Sequence, residues 1–255
     1  MGDQPPPETP PSQAEPTVAG RVRLRIAGEI VEIEVAAPAG PTSLEALLPV
    51  FRGLADKAVG IGLARAEARG ERLSCQAGCG ACCRQAVPIA ECEARAIAEL
   101  VEAMPEPRRA EVRARFAETL QRLEALGLLE QAHAAARGEV DYKEFGVDYF
   151  LSGVPCPFLE AEACSIHADR PLICREYLVS SAPEVCAFPV RERLKPIPIP
   201  GQPSRALFQV GREHTPGGWV LLAEALDWAS GHPASPPAQT GPQLVEAVFG
   251  QYAKT

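Results

Sequence analysis

Apolar and polar residues alternate strictly in the segment RVRLRIAGEIVEIEV, residues 21–35. This period of two is the pattern of half-buried strands, and a glycine lies at the centre of the segment. A two-residue turn at Gly28–Glu29 would place glycine first, as a type II′ hairpin requires. The pattern therefore predicts an N-terminal β-hairpin. Its register predicts two cross-strand ion pairs, Arg23 with Glu34 and Arg25 with Glu32.

Helical spacing of apolar residues follows in most of the remaining chain. Pro49 lies in the first predicted helix and either kinks or restarts it. The predicted helices span residues 43–69, 89–104, 108–126, 128–137, Trp219–Ala229 and Pro242–Tyr252. Between them, residues 141–200 are rich in aromatic side chains, cysteine and proline, and little regular structure is expected there. The fold class is therefore mainly α with an N-terminal β-hairpin, and irregular Cys-rich loops surround a metal centre.

The domain boundaries follow from composition. Residues 1–19 contain six prolines and almost nothing apolar, which predicts a disordered Pro-rich tail. The hairpin is assigned to residues 20–40 and a helical cysteine-cluster metal-binding domain to residues 41–230. Residues 231–255 are predicted to be a linker, SGHPASPPAQTGP, and a C-terminal helix.

Charge and hydropathy restrict the function. The formal net charge of −8 makes the chain a poor ligand for nucleic acid or for an anionic membrane. No apolar run reaches the roughly 18 residues that a membrane span needs, and no signal peptide is recognisable at the N-terminus. We therefore expect a cytoplasmic protein that binds neither nucleic acid nor membrane. Thiols in that compartment are kept reduced, which favours metal binding over disulfides.

Eight of the nine cysteines form two groups that predict metal ligands. Thiolates are soft ligands that suit zinc and iron–sulfur centres, and C-x2-C is a common ligand spacing. The predicted ligands are Cys75, Cys79, Cys82, Cys83, Cys156, Cys164, Cys174 and Cys186. The ninth, Cys92, lies on the apolar face of a predicted helix and is interpreted as a core residue.

The adjacent pair Cys82 and Cys83 bears on how the ligands are shared. Two neighbouring side chains point in different directions, so they suit two centres, or one centre and a neighbouring role. Eight sulfurs satisfy either two tetrahedral sites or one polynuclear cluster. Spacing alone leaves open how the two groups divide.

Three further residues lie close to the cysteines in sequence. His167 is a candidate ligand beside Cys164, although hydrogen bonding to the loop is the more common role. Arg84 and Arg175 each follow a predicted ligand, where they either offset thiolate charge or form ordinary salt bridges. The other three histidines, His133, His214 and His232, are expected at the surface.

Two stretches, CQAGCGACCRQAVPI and GVPCPFLEAEACSIHADRPLICREYLVSSAPEVC, make the chain resemble the YkgJ family of zinc- or iron-chelating cysteine-cluster proteins. The resemblance spans roughly residues 71–190 and implies that the eight cysteines named above are ligands. The family also includes flagellin N-methylases, which transfer methyl from S-adenosylmethionine to lysine. This chain contains no glycine-rich nucleotide loop, so that activity is not carried over from the cysteines alone.

The sequence thus predicts a metal-binding protein that holds zinc or an iron–sulfur centre through eight cysteines, with no reaction assigned. Two alternatives remain, a protein-modifying enzyme of the flagellin lysine N-methylase type and a zinc-stabilised interaction module. The expected partner is a metal ion or cluster, and a protein partner is left open.

Overall fold

The computed structural model describes residues 16–76, 78–187 and 194–254. The fold is mainly α with an N-terminal β-hairpin, as predicted. Strands β1 (Thr17–Ile26) and β2 (Glu29–Pro38) form the antiparallel hairpin. Strand β1 begins inside the segment predicted as a tail, whereas residues 1–15 lie outside the described part of the chain.

The predicted hairpin turn and register are wrong. The turn residues are Ala27 and Gly28, with φ of +48° and +91°, which is the signature of a type I′ turn. Arg23 therefore faces Glu32 instead of Glu34. The two registers differ by two residues on one strand, so both keep the same side chains inward, and alternation alone cannot choose between them. In the observed register, Arg65 donates to the Ala27 carbonyl at 2.7 Å and ties the turn to a helix.

The helices follow the predicted order with two corrections. They are α1 (Leu48–Ala68), α2 (Glu91–Glu102), α3 (Arg108–Ala125), α4 (Leu128–Ala136), α5 (Tyr142–Leu151), α6 (Leu172–Glu176), α7 (Pro183–Cys186), α8 (Pro203–Val210), α9 (Ala225–Gly231) and α10 (Gly241–Tyr252). Pro49 lies in the first turn of α1, after a short 3-10 turn, so it restarts the helix. Helix α5 lies where little regular structure was expected.

The second correction concerns the helix predicted over Trp219–Ala229. Its first part is strand β6 (Trp219–Leu221), which pairs with strand β3 (Pro88–Ala90), and only its second part is helical. The β3–β6 pair lies directly before α2 and after the first cysteine segment. It therefore fixes where that segment leaves the cysteine-rich region.

Two large apolar cores hold this frame together. One joins the hairpin, α1, α8 and α10 around Phe51 and Val248, and it contains Cys92. The other joins α2, α3 and β6. In it, the rings of Phe116 and Phe158 pack edge-to-face with their centroids 5.2 Å apart. Phe158 belongs to the second cysteine segment, so that segment is anchored in the core. Among the described residues, no helix combines the length and the apolar character that crossing a membrane requires.

Candidate metal centre

The first cysteine segment is a chain of tight turns. The Ser74 N–H donates to the Val179 carbonyl at 3.0 Å, which fixes where the segment begins. A turn closed by the Cys79 N–H on the Gln76 carbonyl follows, and Gly78 supplies the φ of +83° that this turn needs. A 3-10 turn, Ala81–Arg84, then carries Cys82 and Cys83. Tight turns of this kind bring several sulfurs to one place within few residues.

The second segment reaches the same region through three small elements. Strands β4 (Leu159–Glu160) and β5 (Ala163–Cys164) form a miniature hairpin that ends on Cys164. Its turn residues, Ala161 and Glu162, both have positive φ, as a type I′ turn requires. Cys174 lies in the middle of α6, and Cys186 is the last residue of α7.

Main-chain and side-chain contacts join the two segments directly. The Cys156 N–H donates to the Cys83 carbonyl at 2.7 Å. Arg84 donates two hydrogen bonds to the Glu162 carboxylate, at 2.6 and 3.0 Å. A Cβ on Gly80 would lie 2.5 Å from the Leu159 Cδ1 atom and 3.1 Å from the Glu162 Cα atom, so a larger residue would require the hairpin to shift. The structure therefore brings the two predicted groups of cysteines together.

Buried carboxylates hold α6, which carries Cys174, at both ends. Glu93 of α2 is fully enclosed, and it accepts hydrogen bonds from the N–H groups of Leu172, at 2.8 Å, and Ala90, at 2.9 Å. Glu176 accepts from the Ser204 N–H and hydroxyl, at 2.8 and 2.6 Å. Burial raises the pKa of Glu176 to about 7. These bonds set the position of the Cys174 thiol from outside the cysteine segments.

Electrostatic interactions link Cys82 to thiols of both segments. The neighbouring Cys83 thiol, together with burial, raises the pKa of Cys82 strongly. A charge on Cys82 acts in turn on five other cysteines from both segments. These are Cys75, Cys156, Cys164, Cys174 and Cys186.

The other thiols divide into two neighbourhoods around Cys82. Cys186 is affected by Cys75 and Cys79, whereas Cys174 is affected by Cys156 and Cys164. The first neighbourhood therefore combines residues of both segments, whereas the second consists of residues from the second segment alone. Burial raises the pKa of Cys156 to about 12 and also raises that of Cys174, because a charged thiolate there loses its solvation.

The spacing of the sulfurs is wider than a single closed zinc site requires. Four thiolates at about 2.3 Å from one zinc ion lie about 3.8 Å from one another. Within the described ranges, no three cysteine sulfurs all lie within 4.8 Å of one another. The donor set of soft, free thiols suits a metal.

The two arginines predicted beside the thiols are engaged elsewhere. Arg84 is paired with Glu162, as described above, and Arg175 bonds to Asp56 at 3.1 Å and to the Arg170 carbonyl at 3.2 Å. Arg170, for which the sequence predicted no role of its own, is a cation that acts on thiols of both segments. Its charge opposes the rise that burial causes in the pKa of Cys75 and Cys164. Its signal in the sequence was its place in the stretch CSIHADRPLIC, which is part of the family resemblance.

His167 is oriented by this arginine. Its Nε2 atom lies 2.8 Å from Arg170 Nη1, and an arginine always donates, so Nε2 accepts. The proton of the neutral ring is then on Nδ1, and neither nitrogen has a lone pair free for a metal. The same positive charge lowers the pKa of His167, with burial as the lesser cause. This geometry favours the hydrogen-bonding role over ligation.

A second group of potential ligands lies away from the cysteines. Ligand atoms of Glu91, Glu213 and His214 all lie within 4.8 Å of one another. The two Glu91 oxygens, however, accept hydrogen bonds from the N–H groups of residues 213–215 and from the Thr215 hydroxyl. The carboxylate thus fastens a loop to the start of α2. His214 is exposed, as predicted.

The convergence of the cysteines agrees with a comparison against protein families. Residues 74–191 match the family model CxxCxxCC, described as "Putative zinc- or iron-chelating domain". We name residues 74–191 the CxxCxxCC domain after the family that they resemble. The CxxCxxCC domain covers slightly less than half of the chain and contains all eight predicted ligands. Comparisons with curated proteins and with solved structures gave no match.

The CxxCxxCC domain is held by elements on both sides of it in the chain. Helix α1 contacts the loop before Cys174, where Arg52 donates to the Asp169 carboxylate at 2.8 Å. Helix α8, which follows the domain, supplies Ser204 to Glu176. The predicted recognition of a zinc- or iron-chelating cysteine family is confirmed at this level.

Proposed function

We propose that this protein holds a polynuclear metal–thiolate centre in its CxxCxxCC domain, with an iron–sulfur cluster as the favoured form. The observation that carries the proposal is the direct contact of the two cysteine segments, in which the Cys156 N–H donates to the Cys83 carbonyl beside Cys82. A polynuclear centre joins several metal atoms through shared sulfur, so it needs thiols from several directions around one space. The main-chain bond between Cys83 and Cys156 keeps the segments at this separation.

The neighbourhoods described above suggest how the ligands divide. One side of the centre would be held by Cys75, Cys79 and Cys186, and the other side by Cys156, Cys164 and Cys174. Cys82 is the thiol placed to serve both sides. Cys83 is adjacent to Cys82 and would complete the set of eight ligands.

Zinc is the second candidate, and the pairing of the adjacent thiols favours it. Cys82 and Cys83 are adjacent in one 3-10 turn, so both sulfurs can bind neighbouring ions. In that case two zinc ions would share eight thiolates. A zinc centre closed by thiolates has no open coordination position and would serve the fold alone. We further propose a reducing, cytoplasmic setting, which all nine free thiols support.

Anaerobic purification followed by metal analysis and a visible spectrum tests the proposal. The expected result is iron with acid-labile sulfide and broad absorption near 400 nm. A colourless protein with about two zinc ions would replace the iron form by the zinc form. A protein that binds neither metal after reconstitution would refute the proposed function.

A further inference from the structure

Arg170 differs from other arginines near the cysteine cluster because the described residues offer it no carboxylate partner. Arg52, Arg84 and Arg175 each form an ion pair with an acidic side chain. Arg170 lies on the loop between Cys164 and α6 and is only half-exposed. A half-buried guanidinium without a counter-charge is unfavourable unless another anion faces it.

The hydrogen bonds of Arg170 are also incomplete. Its Nη1 atom donates to the neutral ring of His167 at 2.8 Å. Its Nε atom is buried and has no partner among the described groups. Buried N–H donors are almost always satisfied, so an orphaned one points to a partner that binds there.

The thiols supply the missing anion once they bind metal. The Arg170 charge acts on Cys75 and Cys82 of the first segment and on Cys164 of the second. Its charge is therefore within electrostatic reach of thiols from both segments. Several thiolates around a metal leave a net negative charge, and sulfur accepts hydrogen bonds from guanidinium groups.

Resting on the proposed function, we infer that Arg170 is a positioning residue that donates its free Nε–H to a sulfur of the loaded centre and offsets its negative charge. The His167 ring accepts a hydrogen bond from the Nη1 atom of the same guanidinium. In this role the arginine sets both how tightly the metal is held and, for an iron centre, how readily it accepts an electron.

Metal affinity in the full-length protein, measured by chelator competition, tests this inference. Arg170→Gln is expected to weaken the affinity about 10- to 100-fold, the usual effect of removing an outer-shell partner. Arg170→Lys keeps the charge and should recover most of that loss. Arg137→Gln is the matched control, because Glu130 and Glu139 already neutralise Arg137 away from the cysteine segments, and its affinity should stay within about fivefold of the wild type.

The reduction potential gives a second readout that a purely structural role would not move. In an iron-loaded protein, Arg170→Gln should shift the potential to more negative values, because the reduced centre loses a nearby cation. Arg170→Lys should leave the potential near that of the wild type. Circular dichroism of each variant verifies the fold. If Arg170→Gln does not fold, Arg170→Lys is compared with Arg137→Gln, and an affinity below that of the control supports the inference whereas an equal affinity counts against it.

Two outcomes would overturn the inference and leave the proposed function intact. One is an Arg170→Gln protein that matches Arg137→Gln in affinity and potential. The other is an Arg170→Lys protein that folds but is as impaired as Arg170→Gln. A wild-type protein that binds neither iron nor zinc would refute both proposals, so the two failures are distinguishable.

Discussion

Cys82 and Cys92 show how differently two cysteines ten residues apart are used. Cys82 interacts with thiols from both segments, whereas Cys92 is completely buried in the core that contains Phe51 and Leu207. Burial raises the pKa of Cys92, and the charges that act on it most are those of Glu93, Glu45 and Arg95. Cys92 is thus placed for packing, whereas Cys82 is the residue for which we propose ligation.

Substitution of these two residues should separate the roles. Cys82→Ser is expected to lose at least about half of the bound metal, because Cys82 faces both neighbourhoods of thiols. Cys92→Ser should keep its metal but lose about 1–3 kcal/mol of stability, since a hydroxyl replaces an apolar group in the core. Metal analysis and chemical denaturation measure both effects.

An empty centre in Cys92→Ser, or full metal content in Cys82→Ser, would contradict this assignment. Cys79→Ser provides a further comparison, because Cys79 belongs to one neighbourhood only. It should lose less metal than Cys82→Ser does.

The protonation of the thiols makes metal binding depend on pH. Burial raises the pKa of Cys75, Cys156 and Cys164, so these thiols carry protons at neutral pH before metal binds. Metal must displace those protons, and affinity should therefore fall as pH falls, about tenfold per pH unit for each proton released. Chelator competition at several pH values measures the slope, and an affinity independent of pH would show that the thiolates form without metal.

The sequence allowed predictions about the chemistry of most residues of the candidate metal centre, but it did not predict a role for Arg170. Cysteine type and spacing indicated soft-metal ligation, and helical spacing placed Cys92 in the core. The role of Arg170 depends on which arginines find carboxylates in three dimensions. Arg84 pairs with Glu162, which lies in the turn of the β4–β5 hairpin. No periodic pattern in the sequence predicted that hairpin.

At the scale of elements, the closest approach is between the 3-10 turn of Cys82 and the β4–β5 hairpin. Gly80 lies where these two meet, and a Cβ there would also approach the Glu162 Cα atom to 3.1 Å. We expect Gly80→Ala to push the hairpin away, destabilise the protein by about 1–3 kcal/mol and weaken metal binding. Thermal unfolding and metal titration measure these effects.

Gly53→Ala is the matched control for Gly80→Ala. Gly53 lies in α1, and nothing lies within 4 Å of a Cβ placed on it. Alanine is the better helix former, so this variant should be more stable by up to about 1 kcal/mol and bind metal normally. Equal behaviour of the two variants would show that the Gly80 approach is unimportant.

The elements that were predicted incorrectly share a physical reason. The hairpin register was ambiguous because two alignments keep the same faces inward. Helix α5 was missed because Gly146 and clustered aromatics hide its helical spacing, although Asp141 caps it through the Lys143 N–H at 2.6 Å. Strand β6 exists because β3 lies beside it, and pairing partners far apart in sequence leave no local pattern.

In the whole molecule, the apolar cores and the cysteine-bearing segments differ in what stabilises them. The core around α1, α8 and α10 is made of packed side chains, whereas the segments that carry the cysteines are turns and elements of two to five residues. Short elements of this kind are marginal alone and gain stability from whatever binds them. How the cysteines interleave depends on these packed elements, so spacing in the sequence did not reveal it.

Removal of the metal should therefore loosen one region and spare another. In hydrogen exchange, the Cys79 and Cys156 amides should lose protection after chelation, because the turns that hold them lose their ligand. Amides of α10, such as that of Val248, should remain protected and serve as the internal control. Uniform loss across both regions, or no change near the cysteines, would count against a metal that organises these turns.

The hydrogen bond from Cys156 to Cys83 has a consequence for protein design. It uses only main-chain atoms, so it survives any side chain at either position except proline at 156. The framework that brings the two segments together is thus independent of the donor atoms it presents. Histidine or carboxylate donors placed at the same positions would occupy the same frame, which makes this fold a template on which the preference for a metal can be rewritten.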